Sequence, residues 1–149
     1  MATFNKIADF VENAVEKMNL GTDQFKVALT NTTPGSESPP PTGDGAGVLA
    51  NLTEISNYGN LSGANPQNIT TTSSSQTGGT YKLVLADLTL TASGGAVGPF
   101  QYIYIYNDTV TSPDDPLVGY YDYGSSITLN DGDSFTIDFD ASNGVIQLS

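Results

Sequence analysis

The stretch "FQYIYIYND", residues 100–108, leaves the fold the least choice. Side chains alternate faces along a strand, so Ile103 and Ile105 point one way while Phe100, Tyr102, Tyr104 and Tyr106 point the other. A sheet with one wet face would alternate apolar with small polar residues. Here both faces carry large side chains, and the tyrosine face is either a second packed layer or a surface made to be covered.

The flanking sequence supplies more strands. "FKVALTN" sets Phe25, Val27 and Leu29 against Lys26, Ala28 and Thr30, and "TYKLVL" sets Tyr81, Leu83 and Leu85 against Lys82 and Val84. Asp87 marks a bulge or bend before Leu88 and Leu90. Near the end, Ile127 and Leu129 lead through the turn "NDGD" to Phe135, Ile137 and Phe139, and Asn143-Gly144 turns into "VIQLS". Before these strands, Phe4, Ile7, Val11, Ala14, Val15 and Met18 recur at helical spacing, with Asp9, Glu12 and Glu16 on another stripe. That pattern predicts an amphipathic helix over residues 3–19, capped by Thr3, with Lys17 in its last turn and Gly21 closing it. Between the first strand and the next apolar segment, "NTTPGSESPPPTGDGAG" (31–47) reads as an exposed Pro/Gly-rich loop. With turn signals every ten or so residues, the chain is expected to form one all-β domain over residues 1–149. The expected architecture is an antiparallel, jelly-roll-like β-sandwich of about eight strands with the helix packed outside.

Composition narrows the chemistry. The 149 residues include no cysteine, histidine, tryptophan or arginine, so a serine triad, a thiolate nucleophile and a zinc–thiolate site are all excluded. Sixteen carboxylates against four lysines give a formal charge of −12, which disfavours nucleic acid and anionic membrane surfaces as partners. There is no run of about 18 apolar residues to span a bilayer, and the N-terminal stretch mixes charge throughout, unlike a secretory signal. Synthesis in the cytoplasm is the expectation. The Asn-x-Ser/Thr triplets at Asn31, Asn51, Asn60, Asn68 and Asn107 then read as polar turns.

Few residues are candidates for a site. Asp131, Asp133, Asp138 and Asp140 are the densest carboxylates. A calcium loop is the functional alternative for them, with Asp131 and Asp133 the weak metal candidates, but the spacing fails the EF-hand pattern and a solvated face fits better. "GDGAG", "TGGT" and "SGGAVG" lack the strand-to-helix setting of a phosphate loop and read as turns. A glycosidase carboxylate pair has no marker in the sequence. No enzymatic activity and no cofactor are expected. The remaining signal is tyrosine: Tyr102, Tyr104, Tyr106, Tyr120, Tyr121 and Tyr123 either fill the core or form a protein contact, for which tyrosine's stiff amphipathic ring is well suited.

In order and texture, "LGTDQFKVALTNT", "GTYKLVLADLTLTASGGAVGPF" and "DPLVGYYDYGSSITLNDGDSFTIDFDASNGVIQL" resemble the small structural proteins of tailed bacteriophages that act as capsid cement or decoration proteins. The resemblance covers most of the chain and contains no catalytic motif. It implies a homotrimer on the outer surface of the virion, bound to the major capsid protein and clamping neighbouring capsid subunits. A tail or adhesion component, and a carbohydrate-binding sandwich using the tyrosines as a sugar platform, are the competing readings.

Overall fold

The computed structural model describes residues 2–149. The chain forms an antiparallel β-sandwich. Its strands are β1 (Phe4–Lys6), β2 (Phe25–Thr30), β3 (Asn68–Ile69), β4 (Thr71–Thr77), β5 (Thr80–Leu85), β6 (Leu88–Thr91), β7 (Val97–Asn107), β8 (Leu117–Leu129), β9 (Ser134–Ile137) and β10 (Ile146–Leu148). One helix, α1 (Phe10–Glu16), follows β1. The larger sheet has the order β1-β8-β7-β2-β3, and the opposing strands fall into β10-β5-β4 and the ribbon β6-β9.

The doubly apolar stretch is β7, and it lies inside the large sheet between β8 and β2. Its residues from Tyr102 to Asn107 are all buried. On one face, Ile103 and Ile105 join Val27, Leu29, Leu83, Leu85, Leu90, Ile137, Phe139 and Ile146 in the buried apolar cluster of the sandwich. Each such side chain contributes roughly 1.5–3 kcal/mol when fully withdrawn from water. The ribbon β4–β5 closes on Gly78 and Gly79, whose φ of 60° and 84° give the two-residue hairpin turn its twist. Between β5 and β6 the chain bends at Asp87, whose carboxylate accepts the Phe139 N–H at 2.9 Å.

The edge of β2 that β3 leaves free is capped by the segment that follows β2. Ile55 N–H donates to Leu29 O at 2.9 Å, and Leu29 N–H donates to the Tyr58 hydroxyl at 2.7 Å. That hydroxyl in turn donates to Glu54 Oε1 at 2.8 Å. Thr30 Oγ1 donates to Thr53 O. Burial raises the pKa of Glu54, and the Tyr58 hydrogen bond only partly offsets it. Tyr58→Phe would strand the Leu29 N–H and one Glu54 oxygen together. It is expected to lower the unfolding free energy by about 1–3 kcal/mol in urea titrations; an unchanged midpoint would show that the cap is held by packing alone.

Three expectations need correction. The helix does not span 3–19, because Phe4 to Lys6 form β1, paired with Tyr121 to Gly119 of β8, and Ile7 N–H extends the contact to Val118 O at 3.0 Å. Strand pairing outweighs the helical spacing of the first apolar residues. Asp9, not Thr3, stands at the helix start, and its carboxylate is used elsewhere: it accepts the N–H groups of Gly45 at 2.9 Å and Gly47 at 2.8 Å. The helix ends at Lys17 rather than running on to Gly21, and Val11 and Val15 face solvent, Val15 at 80% exposure.

The 31–47 loop is not freely exposed. Pro41, Ala46 and Gly47 are buried, and Gly47 O accepts the Leu117 N–H at 2.8 Å. The turn "NDGD" does not close a hairpin between β8 and β9. It carries the chain from one layer to the other, where β9 pairs with β6 in the register Leu90↔Phe135. Gly132 N–H to Ala92 O and Ala92 N–H to Asp133 O, at 2.8 and 2.9 Å, fasten that turn to the end of β6.

Candidate interaction surface

The six tyrosines do not form one surface. Tyr104 is completely buried, and Tyr102, Tyr106 and Tyr121 are buried with it. Tyr120, half-buried, stacks on Tyr104 with ring centroids 5.0 Å apart and meets Tyr102 edge-on at 6.4 Å. Tyr102, Tyr104 and Tyr120 are thus a packed aromatic cluster on one face of the large sheet. Tyr123, at 53% exposure, is the one that reaches solvent freely.

A break in the β7–β8 ladder places Tyr123. From Tyr102↔Asp122 to Phe100↔Ile127 the register advances two positions on β7 and five on β8, so β8 bulges over residues 123–126. Asp122 Oδ1 holds the bulge by accepting the Gln101 amide at 2.9 Å and the Gly124 N–H at 2.7 Å, with Gly124 at φ +93°. Tyr123 then meets Phe135 of β9 edge-on at 5.5 Å, and Phe135 meets Phe100 the same way at 5.5 Å.

Tyr123 and Phe135 border an apolar cleft of about 430 Å³ where β8 and β9, from opposite layers, come near each other. Ile103, Tyr121 and Ile137 line it together with Tyr123 and Phe135, and Ala2, Thr136 and Asp138 complete it. Tyr121 packs on Phe4 at 5.2 Å and on Phe139 at 6.1 Å. A second apolar hollow, about 340 Å³, lies between α1, β1 and β10, beside the exposed Val11, Val15 and Leu148. A larger one, about 800 Å³, is acidic, with Asp9, Glu12, Glu16 and Asp44 around it.

Asp131 and Asp133 are engaged in turn geometry. Asp131 Oδ1 accepts the Gly94 N–H at 2.8 Å and Asp133 Oδ2 the Asn130 N–H at 2.9 Å. Asp140 accepts both backbone N–H groups of the following turn, from Ser142 and Asn143, which lowers its pKa. Among the described residues no three carboxylates converge as a metal cage would require.

The buried phenols have a measurable consequence. Burial raises the pKa of Tyr58, Tyr104 and Tyr106 above the ordinary 10.0, and it pushes Tyr121 up to about 12, with Asp140 and Asp138 adding to the shift. For an acid whose folded pKa lies above the unfolded one, the stability it lends is complete below the unfolded value and is lost as pH rises through the folded value. These four phenols are therefore expected to ionise together with unfolding above pH 10.0, in one transition shared by phenolate absorbance and circular dichroism. A phenolate signal completed while the β-sheet spectrum is intact would contradict their burial.

The sequence located the aromatic segment but not the cleft: strand parity keeps Tyr121 and Tyr123 on one face, but nothing in the pattern shows that Phe135 and Ile137 of β9 come to border them. The usable signal was "YDYGSS", an Asp two residues before a Gly inside a strand. Compared with protein-family models, curated proteins and solved structures, the chain finds no match. No helix among the described residues is long and apolar enough to cross a membrane.

Proposed function

We propose that this chain is a structural virion protein, a cement or decoration protein bound to the outside of a tailed-phage shell through contacts with the major capsid protein. The observation that supports the reading is the cleft at Tyr123 and Phe135: a half-exposed aromatic pair held in place by a bulge, on a sandwich whose other large side chains are mostly turned inward. Partly exposed aromatic anchors of this kind are typical of protein contacts. The strong negative charge suits an outer surface better than one facing packaged DNA. A homotrimer would present three copies of the cleft to a threefold position on the shell, so that weak contacts add by avidity. The role requires no catalyst and no cofactor.

The test is retention on particles. Purified shells lacking the protein are mixed with it, sedimented and imaged. Density at threefold positions, lost on chelation of neither calcium nor magnesium, is the expected result; absence of binding to heads, or binding confined to tails, overturns the reading.

A further inference from the structure

We propose that the cleft between β8 and β9 takes an extended segment of a partner protein, alternating apolar with basic residues, which adds to the free edge of β8 as a strand. This rests on the reading of the chain as a partner-binding structural protein. Three observations carry it.

The first is an open edge. β1 pairs with β8 only from Gly119 to Tyr121, and beyond Tyr121 no strand among the described residues pairs with β8 on the side away from β7. β9 pairs with β6 alone, so it too has an open edge. Ala2, just ahead of β1, lines the cleft itself, so an added strand would pair with β8 beyond it, toward Leu129, in the manner of β-strand addition.

The second is the alternation the cleft would read. An added strand points every other side chain into the space bordered by Tyr123, Phe135 and Ile137, where apolar groups fit. The intervening side chains point away from it.

The third is charge. Among the described residues the only charged one lining the cleft is Asp138, Asp122 holds the adjoining bulge, and none of the four lysines lines it, in a chain of net charge −12. Acidic side chains at the rim favour lysine or arginine in a partner and repel another acidic segment. The same argument disfavours a second copy of this chain as the occupant.

The experiment uses the whole chain and two blocked synthetic peptides, one alternating valine with lysine and one alternating valine with glutamate, followed by calorimetry and amide NMR shifts. The lysine peptide is expected to bind, with shifts along Asp122–Leu129 and Ser134–Ile137, and the glutamate peptide is not. Tyr123→Ser should weaken binding about tenfold or more, while Tyr123→Phe should leave it within about twofold. Tyr123 is half-exposed, so the serine variant is expected to fold, and an unchanged melting temperature verifies it. Equal binding of both peptides, or binding untouched by Tyr123→Ser, means general attraction to an acidic surface and overturns the proposal. Self-association of the chain abolished by Tyr123→Ser would assign the cleft to a second copy and also overturn it. Peptide binding without retention on shells would refute the decoration reading alone; retention without peptide binding would refute this proposal alone.

Discussion

Tyr104→Ala is expected to lower the unfolding free energy by about 3–5 kcal/mol, the range for truncating a large aromatic side chain in a core. Tyr104 is completely buried, lies across from Ala28 on β2, and stacks on Tyr120. Alanine would remove the whole ring and leave a cavity that the paired strands on both sides cannot collapse to fill. Against a total of about 5–15 kcal/mol for a domain, this is close to unfolding it. The hydroxyl behaves differently. It is buried and has no hydrogen-bond partner, and the nearby Glu37 charge adds to the burial that holds its proton on. Removing an unpartnered buried polar atom relieves a desolvation penalty of about 1–3 kcal/mol, so Tyr104→Phe should be neutral or stabilising. Urea titrations of both variants decide the matter. If phenylalanine loses as much as alanine, the hydroxyl is bonded and the packing argument fails. If alanine costs little but weakens partner binding, Tyr104 belongs to an interface after all.

That pair of variants also marks how far the sequence could be read. The two-sided bulk of residues 100–106 left the tyrosine face as either a packed layer or a surface to be covered, and Tyr102, Tyr104 and Tyr106 are buried within the chain. What the sequence did not reveal is how the chain's own polar segment closes the free edge of β2: Tyr58, Glu54 and Thr53 cap it through hydrogen bonds to Leu29 and Thr30. A stretch with few apolar residues carries no periodicity to reveal such a cap. The turns at Gly78-Gly79 and Asn143-Gly144 were legible because their residue types dictate the backbone. The start of the chain was not. Phe4 and Ile7 satisfy helical spacing with Val11 and Val15, and only the long-range pairing with β8 turns the first of them into a strand while leaving Val11 and Val15 in solvent. At "NDGD" the turn itself was evident from its residues, but the partner of the following strand was fixed by a distant one, β6. The six tyrosines divide between core and surface: Tyr102, Tyr104, Tyr106 and Tyr121 are buried, and Tyr123 is exposed at the start of the bulge between Asp122 and Ile127.

Gly119→Ala should be a damaging small substitution, costing about 3 kcal/mol, the upper end for overpacking. The reason is space. A Cβ on Gly119 would stand 2.3 Å from Phe4 Cζ and 2.6 Å from Asn5 O. The phenyl ring lies over the glycine and against Tyr121, at a centroid distance of 5.2 Å, so it can swing away only by giving up that contact. The carbonyl has less freedom, since Asn5 sits opposite Tyr120 in the β1–β8 ladder and cannot retreat without separating the strands. Release of β1 would also loosen Ile7, whose N–H is held by Val118 O, and with it the anchor of α1. Hydrogen exchange therefore gives the sharper readout: the Ile7 amide, protected in the parent, should exchange early in the variant while the β2–β7 ladder stays protected. The double variant Phe4→Ala/Gly119→Ala separates the two obstacles. Removing the ring leaves the clash with the Asn5 carbonyl in place, so β1 should remain detached; recovery of Ile7 protection in the double variant would show that the ring alone demands glycine at this position.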